Sequence, residues 1–505
     1  MQYTKPDFTF KSHQFMLPYK TILQIDTSSE LSLYLQICNE FIKRISDGTI
    51  VSGQKLPSSR VLSELLEVNR RTVSAAYEEL EAQGWIEIRP YKGSFVNSTL
   101  PLYSSRNLTK INVKAAKVEG HFDIAKVSLV KPEQSKSNAK ITIDAGYPDI
   151  RLAPITELNR NLNALSRSPR HRNLMNYSNS FNGDEKLRLA LMENLKSTRS
   201  TFVELDNIFV TRGSLMAFYL IFKALLNKKD KVIVGDVSFK VANRLVEMNQ
   251  GTLVRVPVDG QGMDVDAIEK ICKKTSIKAV FVMPHHHNPT TVTLTAKRRM
   301  QLLMLAEKYR FAIIEDDYDY DFHFERSPIL PMASSDTVGS VIYVGSLSKT
   351  IAPGLRTGYI VAPKNLIAAI SQISRNMDCH GNHALERAIA ILYQDGEIKR
   401  YHKKSLVIYH KRRDLFCQLL KEQLGDIVKF EVPKGGLAVW VKFDDQYPVE
   451  EIKKRALELG LRLPKSIFEN MNGEKINAIR MGFASLEEEE MKEAVGLLKQ
   501  TISNL

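Results

Sequence analysis

Between Ile141 and Leu505 short apolar runs alternate with helical stretches. The runs are Asn207–Val210, Val232–Val234, Ala279–Val282, Phe311–Ile314 and Val341–Val344, and Leu215–Leu226 and Ala296–Tyr309 carry helical spacing between them. This alternation predicts βαβ units, hence an α/β fold with a mostly parallel sheet and helices on both faces. In such sheets ligands bind in the crevice beyond the carboxyl ends of the strands. The residues just after each run are therefore the ones to read for chemistry.

Gly345–Tyr359 follows the last run and reads GSLSKTIAPGLRTGY. A lysine set among hydroxyls and followed by an arginine suits a phosphorylated aldehyde: Lys349 supplies an amine for the aldehyde carbon, while Ser346, Ser348 and Arg356 offer hydroxyl and guanidinium donors to a dianionic phosphate. Thr211–Ser214 lies between a strand and a helix, where backbone N–H groups of Gly213 and Ser214 form a second phosphate cradle. Asp316, at the end of its strand, is placed to keep a pyridine nitrogen protonated, and Tyr318 to bond a ring oxygen. Phe239 is a stacking aromatic, and Asn288 follows the Ala279–Met283 run. The run His285–His286–His287 follows the same strand. Continued as strand it sends successive rings to opposite faces, which argues against a shared metal site.

The N-terminal part has a different grammar. Residues 1–30 read as a short leader without periodicity, and residues 31–98 as a compact helical-then-β domain. Leu31–Ile45 has helical apolar spacing. Ser58 is a cap for a helix reaching about Leu66, and Asn69 caps a third helix, Arg70–Gln83, which Gly84 ends. Trp85–Arg89 and Ser94–Val96 then form a hairpin. Three helices with a tight second turn and a β-hairpin make a winged helix-turn-helix, whose third helix presents its N-terminal residues to the major groove. Ser58, Arg60, Arg70, Arg71, Thr72, Lys92 and Gly93 are the candidate DNA-contacting residues. The domain carries eight basic and eight acidic residues, so a positive face requires their segregation.

Residues 99–140 hold eight Lys or Arg against three acids and read as a basic linker, and 141–505 as the ligand-binding domain. The whole chain has a formal net charge of +14, which favours polyanionic partners. Its apolar content of 43% excludes a mostly disordered chain, and no apolar run approaches the ~20 residues of a membrane span. The first residues lack the apolar core of a secretory signal. Four scattered cysteines without a CxxC pair point to reduced thiols and a cytoplasmic protein with no zinc site.

KLPSSRVLSELLEVNRRTVSAAYEELEAQGWIEIRPYKGSFV, residues 55–96, resembles the GntR-type DNA-binding domain. The resemblance implies that Arg60, Arg70, Thr72 and Gly93 touch double-stranded DNA. In order along the second part, Gly213, Ser214, Phe239, Asn288, Asp316, Tyr318, Lys349, Arg356 and a late Arg480 resemble the fold-type-I pyridoxal-phosphate aminotransferases. That resemblance implies pyridoxal 5′-phosphate held on Lys349 as an internal aldimine, and an Arg480 fork for a ligand carboxylate. It also implies a small C-terminal α+β subdomain from about residue 390, with Trp440 in its core. It further implies a homodimer in which Tyr177 is lent to the neighbouring site. Thr291 stands where the family's N-P-T-G turn has glycine.

The two halves together resemble the MocR/GabR regulators. The resemblance implies a cytoplasmic, pyridoxal-phosphate-dependent transcriptional regulator, with no membrane partner, that binds paired half-sites as a dimer. Its effector is an amine, an amino acid or the cofactor itself. The alternative is a working aminotransferase that carries a regulatory winged helix.

Overall fold

The computed structural model describes residues 17–100, 139–325, 329–465 and 467–505. The leader up to residue 16 and the linker from 101 to 138 lie outside the described residues. The chain divides into two compact units on either side of Pro132 and Glu133.

The first unit contains α1 (Tyr19–Ile22), α2 (Leu33–Ser46), α3 (Ser59–Leu66), α4 (Arg70–Ala82), β1 (Ile86–Arg89) and β2 (Gly93–Val96). Its helices start at the capping residues the sequence marks. Ser58 Oγ accepts from Val61 N at 3.3 Å, and Asn69 Oδ1 accepts from Arg71 N at 2.9 Å, each satisfying an N–H the first turn leaves open. On α4, Val73, Ala76, Tyr77 and Leu80 recur at helical spacing and are buried against Ile37, Cys38 and Phe41 of α2. Tyr77 carries its hydroxyl into this core and donates to Pro57 O at 2.8 Å. Tyr19 and Leu23, placed by sequence in the leader, are buried in the same core. β1 and β2 pair antiparallel with Arg89 opposite Gly93, so the wing closes one residue earlier than Ser94.

The first element of the second unit among the described residues is β3 (Ile141–Thr142). The unit's main sheet uses β4 (Ile208–Thr211), β5 (Lys231–Gly235) and β6 (Thr252–Val256) and, after a small hairpin β7 (Val258–Asp259)–β8 (Gly262–Met263), also β9 (Ala279–Val282), β10 (Ala312–Asp317), β11 (Val341–Ser346) and β12 (Gly358–Val361). The order is β4-β12-β11-β10-β9-β5-β6. β12 is antiparallel to both neighbours, while the β11-β10-β9-β5-β6 ladder is parallel throughout. Helices Ser214–Leu225 and Ala296–Tyr309 belong to two separate apolar clusters that both use sheet residues, as expected for a sheet covered on both faces.

A smaller lobe follows. β13 (Val428–Lys429), β14 (Ala438–Phe443) and, beyond β15 (Leu461–Arg462) and the hairpin β16 (Phe468–Glu469)–β17 (Lys475–Ile476), β18 (Ala478–Gly482) form its sheet. Ile141 and Ile143 join this lobe's core, and β3 pairs parallel with β15 through Ile141 and Leu461. The lobe therefore takes in residues from the start of the unit as well as from beyond 390. Trp440 is buried beside Phe468, ring centroids 5.3 Å apart.

Candidate functional site

The strand registers carry the site residues to one edge of the main sheet. Thr211 pairs with Gly358, Gly358 with Ser346, and Asp317 with Gly345. The ends of β4, β11 and β10 are thus aligned, and the residues following them, Gly213, Lys349 and Tyr318, emerge at that edge.

Three consecutive acids end β10, and strand geometry separates them. Glu315 turns to one face, where its carboxylate accepts from Met332 N at 2.8 Å and Ala333 N at 3.0 Å; burial pushes it up to about 7. Asp317 shares that parity. It bonds the His285 ring at 2.8 Å and accepts from Tyr343 Oη at 2.7 Å. Asp316 points the other way, is 5% exposed, and its Oδ1 has no hydrogen-bond partner among the described residues. Burial, with Asp317 and Asp319 nearby, holds its carboxyl well above the usual range. A buried carboxyl oxygen left open is costly unless a ligand supplies the donor. A protonated ring nitrogen is such a donor.

Lys349 lies in the single helical turn Leu347–Thr350, which Ser346 caps by accepting from Ser348 N at 3.3 Å. Its Nζ donates to Gly146 O at 2.5 Å and sits 4.2 Å from the centroid of the Tyr147 ring. Loss of hydration pushes the ammonium down to about 7; Asp144 and Asp319 work against this and Arg480 with it. At neutral pH a substantial fraction of Lys349 is therefore the neutral, nucleophilic amine.

Gly213 has φ +84°, and a Cβ built there would lie 2.8 Å from Arg356 Nη2. The Arg356 guanidinium thus packs directly on the backbone at the start of the Ser214–Leu225 helix, an approach that only glycine at 213 permits. A helix N-terminus facing a guanidinium fits a phosphate. The orphaned Asp316 oxygen, the Lys349 amine and this cradle together fit the three ends of pyridoxal 5′-phosphate.

Tyr318 Oη donates to His286 O at 2.6 Å and accepts from Arg480 Nη2 at 3.1 Å. Arg480, on β18, is 2% exposed. Its other donors go to Ala145 O at 3.0 Å, Pro289 O at 3.1 Å and His287 O at 3.5 Å. The fork expected to hold a ligand carboxylate is therefore occupied by carbonyl groups of the chain. Asn288 is half-buried and makes no side-chain hydrogen bond among the described residues. Phe239 packs against the apolar cluster of the sheet. Tyr177 is 87% exposed, edge-on to His380 at 5.9 Å, and the structure does not gather it with Lys349.

Two local expectations change. β9 stops at Val282, so strand alternation does not govern the histidine run. His285 and His286 both approach His323, at 5.7 and 5.1 Å between rings, while His286 bonds Asp319 at 2.9 Å and His287 bonds Thr290 Oγ1 at 2.8 Å. Thr291 adopts a left-handed φ of +62°, a backbone that favours glycine, despite its branched side chain. Among the described residues no group of His, Cys, Asp and Glu is arranged to hold a metal, and no helix is long and apolar enough to cross a membrane. Sequence reading missed Asp144, Gly146 and Tyr147. Only the Asp-x-Gly-Tyr sequence of a side-chain-capped turn marks them, and nothing local ties them to a lysine some two hundred residues on.

In the first unit Arg70, Arg71 and Lys92 are exposed and make no ion pair among the described residues. Thr72 is half-buried in the first turn of α4. Arg60 is exposed and meets Glu64 at 3.4 Å. Gly93, at φ +107°, lies against Lys55, whose Cε is 3.3 Å from the position of an added Cβ. Lys55 and Arg89 approach the Phe95 ring at 5.8 and 4.8 Å, so Lys55 joins the cations of the wing.

The profile of the aminotransferase class I and II family matches residues 157–498. The chain belongs to that family. Residues 33–96 match the gntR family of bacterial regulatory proteins. This aminotransferase-family chain is thus a GntR-type DNA-binding domain fused to an aminotransferase-like domain, the arrangement of MocR-type transcriptional regulators. It is 28% identical to the HTH-type transcriptional regulator YdfD of Bacillus subtilis, over 94% of this chain and 97% of that one. It is 24% identical to the probable rhizopine catabolism regulatory protein MocR of Rhizobium meliloti, over 95% of each chain. Among solved structures, the kynurenine aminotransferase of Pyrococcus horikoshii is 26% identical and superposes with a TM-score of 0.67 over 73% of this chain and 92% of that one.

Proposed function

We propose that this regulator holds pyridoxal 5′-phosphate at Lys349 and changes its action on DNA when an amine or amino acid, or the cofactor itself, binds there. The observation that carries the reading is the buried Asp316, with an open oxygen at the same sheet edge as the part-neutral amine of Lys349. In this reading Asp316 takes the ring nitrogen and Tyr318 the ring oxygen. Gly213, Ser214, Ser346, Ser348 and Arg356 hold the phosphate, and Phe239 and Asn288 border the ring. Bound there, pyridoxal phosphate supplies an electron sink for any amine attached to it. Arg480 uses four of its five N–H donors on Ala145, His287, Pro289 and Tyr318, so a two-donor grip on an effector carboxylate requires it to exchange at least one of these contacts. Tyr177, exposed in one chain, serves the neighbouring site of a homodimer, and the dimer sets two winged helices over paired half-sites of double-stranded DNA. The effector acts by binding one arrangement of the protein better than another.

The test is the visible absorption of the purified protein with added pyridoxal 5′-phosphate. A band that appears in the wild type and is absent in Lys349→Ala supports the reading; no band in either removes it. Lys349, as a part-neutral amine, is also a competent base, which favours residual transamination as a second reading. If an amino acid bleaches the band and a keto acid restores it over repeated cycles, the protein turns over as an enzyme.

A further inference from the structure

Two site residues are bonded to a stretch of chain to which the reading above gives no role. Lys349 holds Gly146 through its carbonyl and Tyr147 through its ring, and Arg480 holds Ala145 through its carbonyl. The same stretch is shaped from behind by Asp144. Asp144 Oδ1 accepts from Gly146 N at 2.6 Å and Tyr147 N at 2.7 Å, and Oδ2 accepts from Ser485 Oγ at 2.5 Å. Gly146 has φ +100°, and a Cβ there would come within 3.0 Å of Ala438 Cβ. The turn is therefore built for one conformation, and that conformation ends on the Lys349 amine.

The turn directly follows β3, the first strand of the unit among the described residues. β3 is held by a short parallel ladder: Lys140 N and Ile141 N donate to Gly460 O at 2.8 and 3.2 Å, and Ile143 N donates to Arg462 O at 2.9 Å. Nothing but Ile143 separates β3 from Asp144.

We infer that the Asp144–Tyr147 turn reports the bonding state of Lys349 to β3 and its ladder with Gly460 and Arg462. The inference rests on Lys349 being the cofactor-bearing residue proposed above. A free Lys349 amine donates an N–H to Gly146 O and, when protonated, is attracted to the Tyr147 ring. When Lys349 condenses with an aldehyde, a C=N bond replaces C=O and the amine's two hydrogens leave with the carbonyl oxygen as water. In its neutral form the nitrogen then has no N–H to give, and Gly146 O loses its donor. A carbonyl left without a donor disfavours the docked turn, so the turn and the ladder before it loosen. When a second amine takes over that carbon, its two hydrogens pass to the Lys349 nitrogen, which becomes a free amine again and redocks the turn. The device thus distinguishes cofactor alone from cofactor carrying a ligand amine.

The test is hydrogen exchange across residues 140–147 of the full chain in three states: unloaded, loaded with pyridoxal 5′-phosphate, and loaded then treated with methoxyamine, which takes the aldehyde carbon and frees the lysine. The expected result is at least tenfold faster exchange on loading and a return to within twofold of the unloaded rate after methoxyamine. Lys349→Ala should exchange fast in all three states. Ser485→Ala, which removes the Oγ donor to Asp144 Oδ2 and has no role assigned at the cofactor, should keep the visible band while narrowing the gap between states. Unchanged or slower exchange while the band shows full loading overturns the inference, as does a Lys349→Ala protein as slow as the wild type. If no band ever forms, the cofactor reading fails separately, and the unloaded Lys349→Ala comparison alone decides whether the turn depends on that amine.

Discussion

Among the described residues Arg70 and Arg71 stand exposed at the start of α4 without an ion pair, whereas Asp316 lies buried with an oxygen that meets no donor. Both arrangements leave a charge-bearing group unpartnered, but at very different expense to the fold. A cation in water loses nothing by waiting for a phosphate. A carboxyl taken out of water destabilises the empty protein until a ligand arrives. The winged helix can thus be tuned for DNA by surface substitution with little effect on folding. The sheet edge couples ligand binding to stability, because any group that satisfies Asp316 and Lys349 also relieves the fold.

The sharpest way to break this contrast is at the buried edge. Asp316→Asn should raise the melting temperature of the cofactor-free protein and lower its affinity for pyridoxal 5′-phosphate at least tenfold. The sign follows from linkage. The carboxyl is raised in the folded state, so its cost is absent below about pH 4, the unfolded value, and grows as pH rises. The gain in melting temperature should therefore be larger at pH 7 than at pH 4, and a variant less stable at both would refute the account. A smaller effect is expected at Lys349. With the amine held down to about 7, the rate at which the unloaded protein bonds pyridoxal phosphate should climb through pH 7 and level off near pH 8.5. A rate still rising at pH 10 would mark an ordinary solvated lysine.

On the exposed side, Arg70→Ala should cost about 1–3 kcal/mol of DNA affinity at one base position while moving folding stability by less than about 0.5 kcal/mol. A uniform loss across all sequences would make Arg70 a phosphate contact instead. The smallest effect is expected at Thr291, a branched residue held at φ +62°. Thr291→Gly should stabilise the second unit by about 1 kcal/mol, because glycine adopts that backbone without strain; denaturant melts would show it.

The legible parts of this chain are those whose signals are contiguous. Lys349, Arg356 and the serines sit in one block, and Asp316 and Tyr318 lie at and just past the end of one strand, so short-range pattern points to them as candidates. Helix starts at Ser58 and Asn69 were equally readable, because a cap is a local bond. What pattern could not supply were bonds made across the fold. Glu315, Asp316 and Asp317 look alike in sequence, and only the neighbours on each face of β10 show which one is left open. The carbonyl partners of Arg480 come from three separate residues of the backbone, which carries no sequence signature. Tyr19 and Leu23 belong to the winged-helix core through a one-turn helix too short to show periodicity. The histidine run misled because the strand ended before reaching it.

The pairing of β3 with β15 also bears on how such a chain can be divided. Ile141 and Ile143 fill the core of the small lobe beside residues that lie more than three hundred positions later. A gene fragment cut at residue 150 would retain Lys349, Asp316 and Arg356, yet would open that core to water. A laboratory splice made to exchange aminotransferase-like domains between such proteins should therefore lie upstream of residue 141.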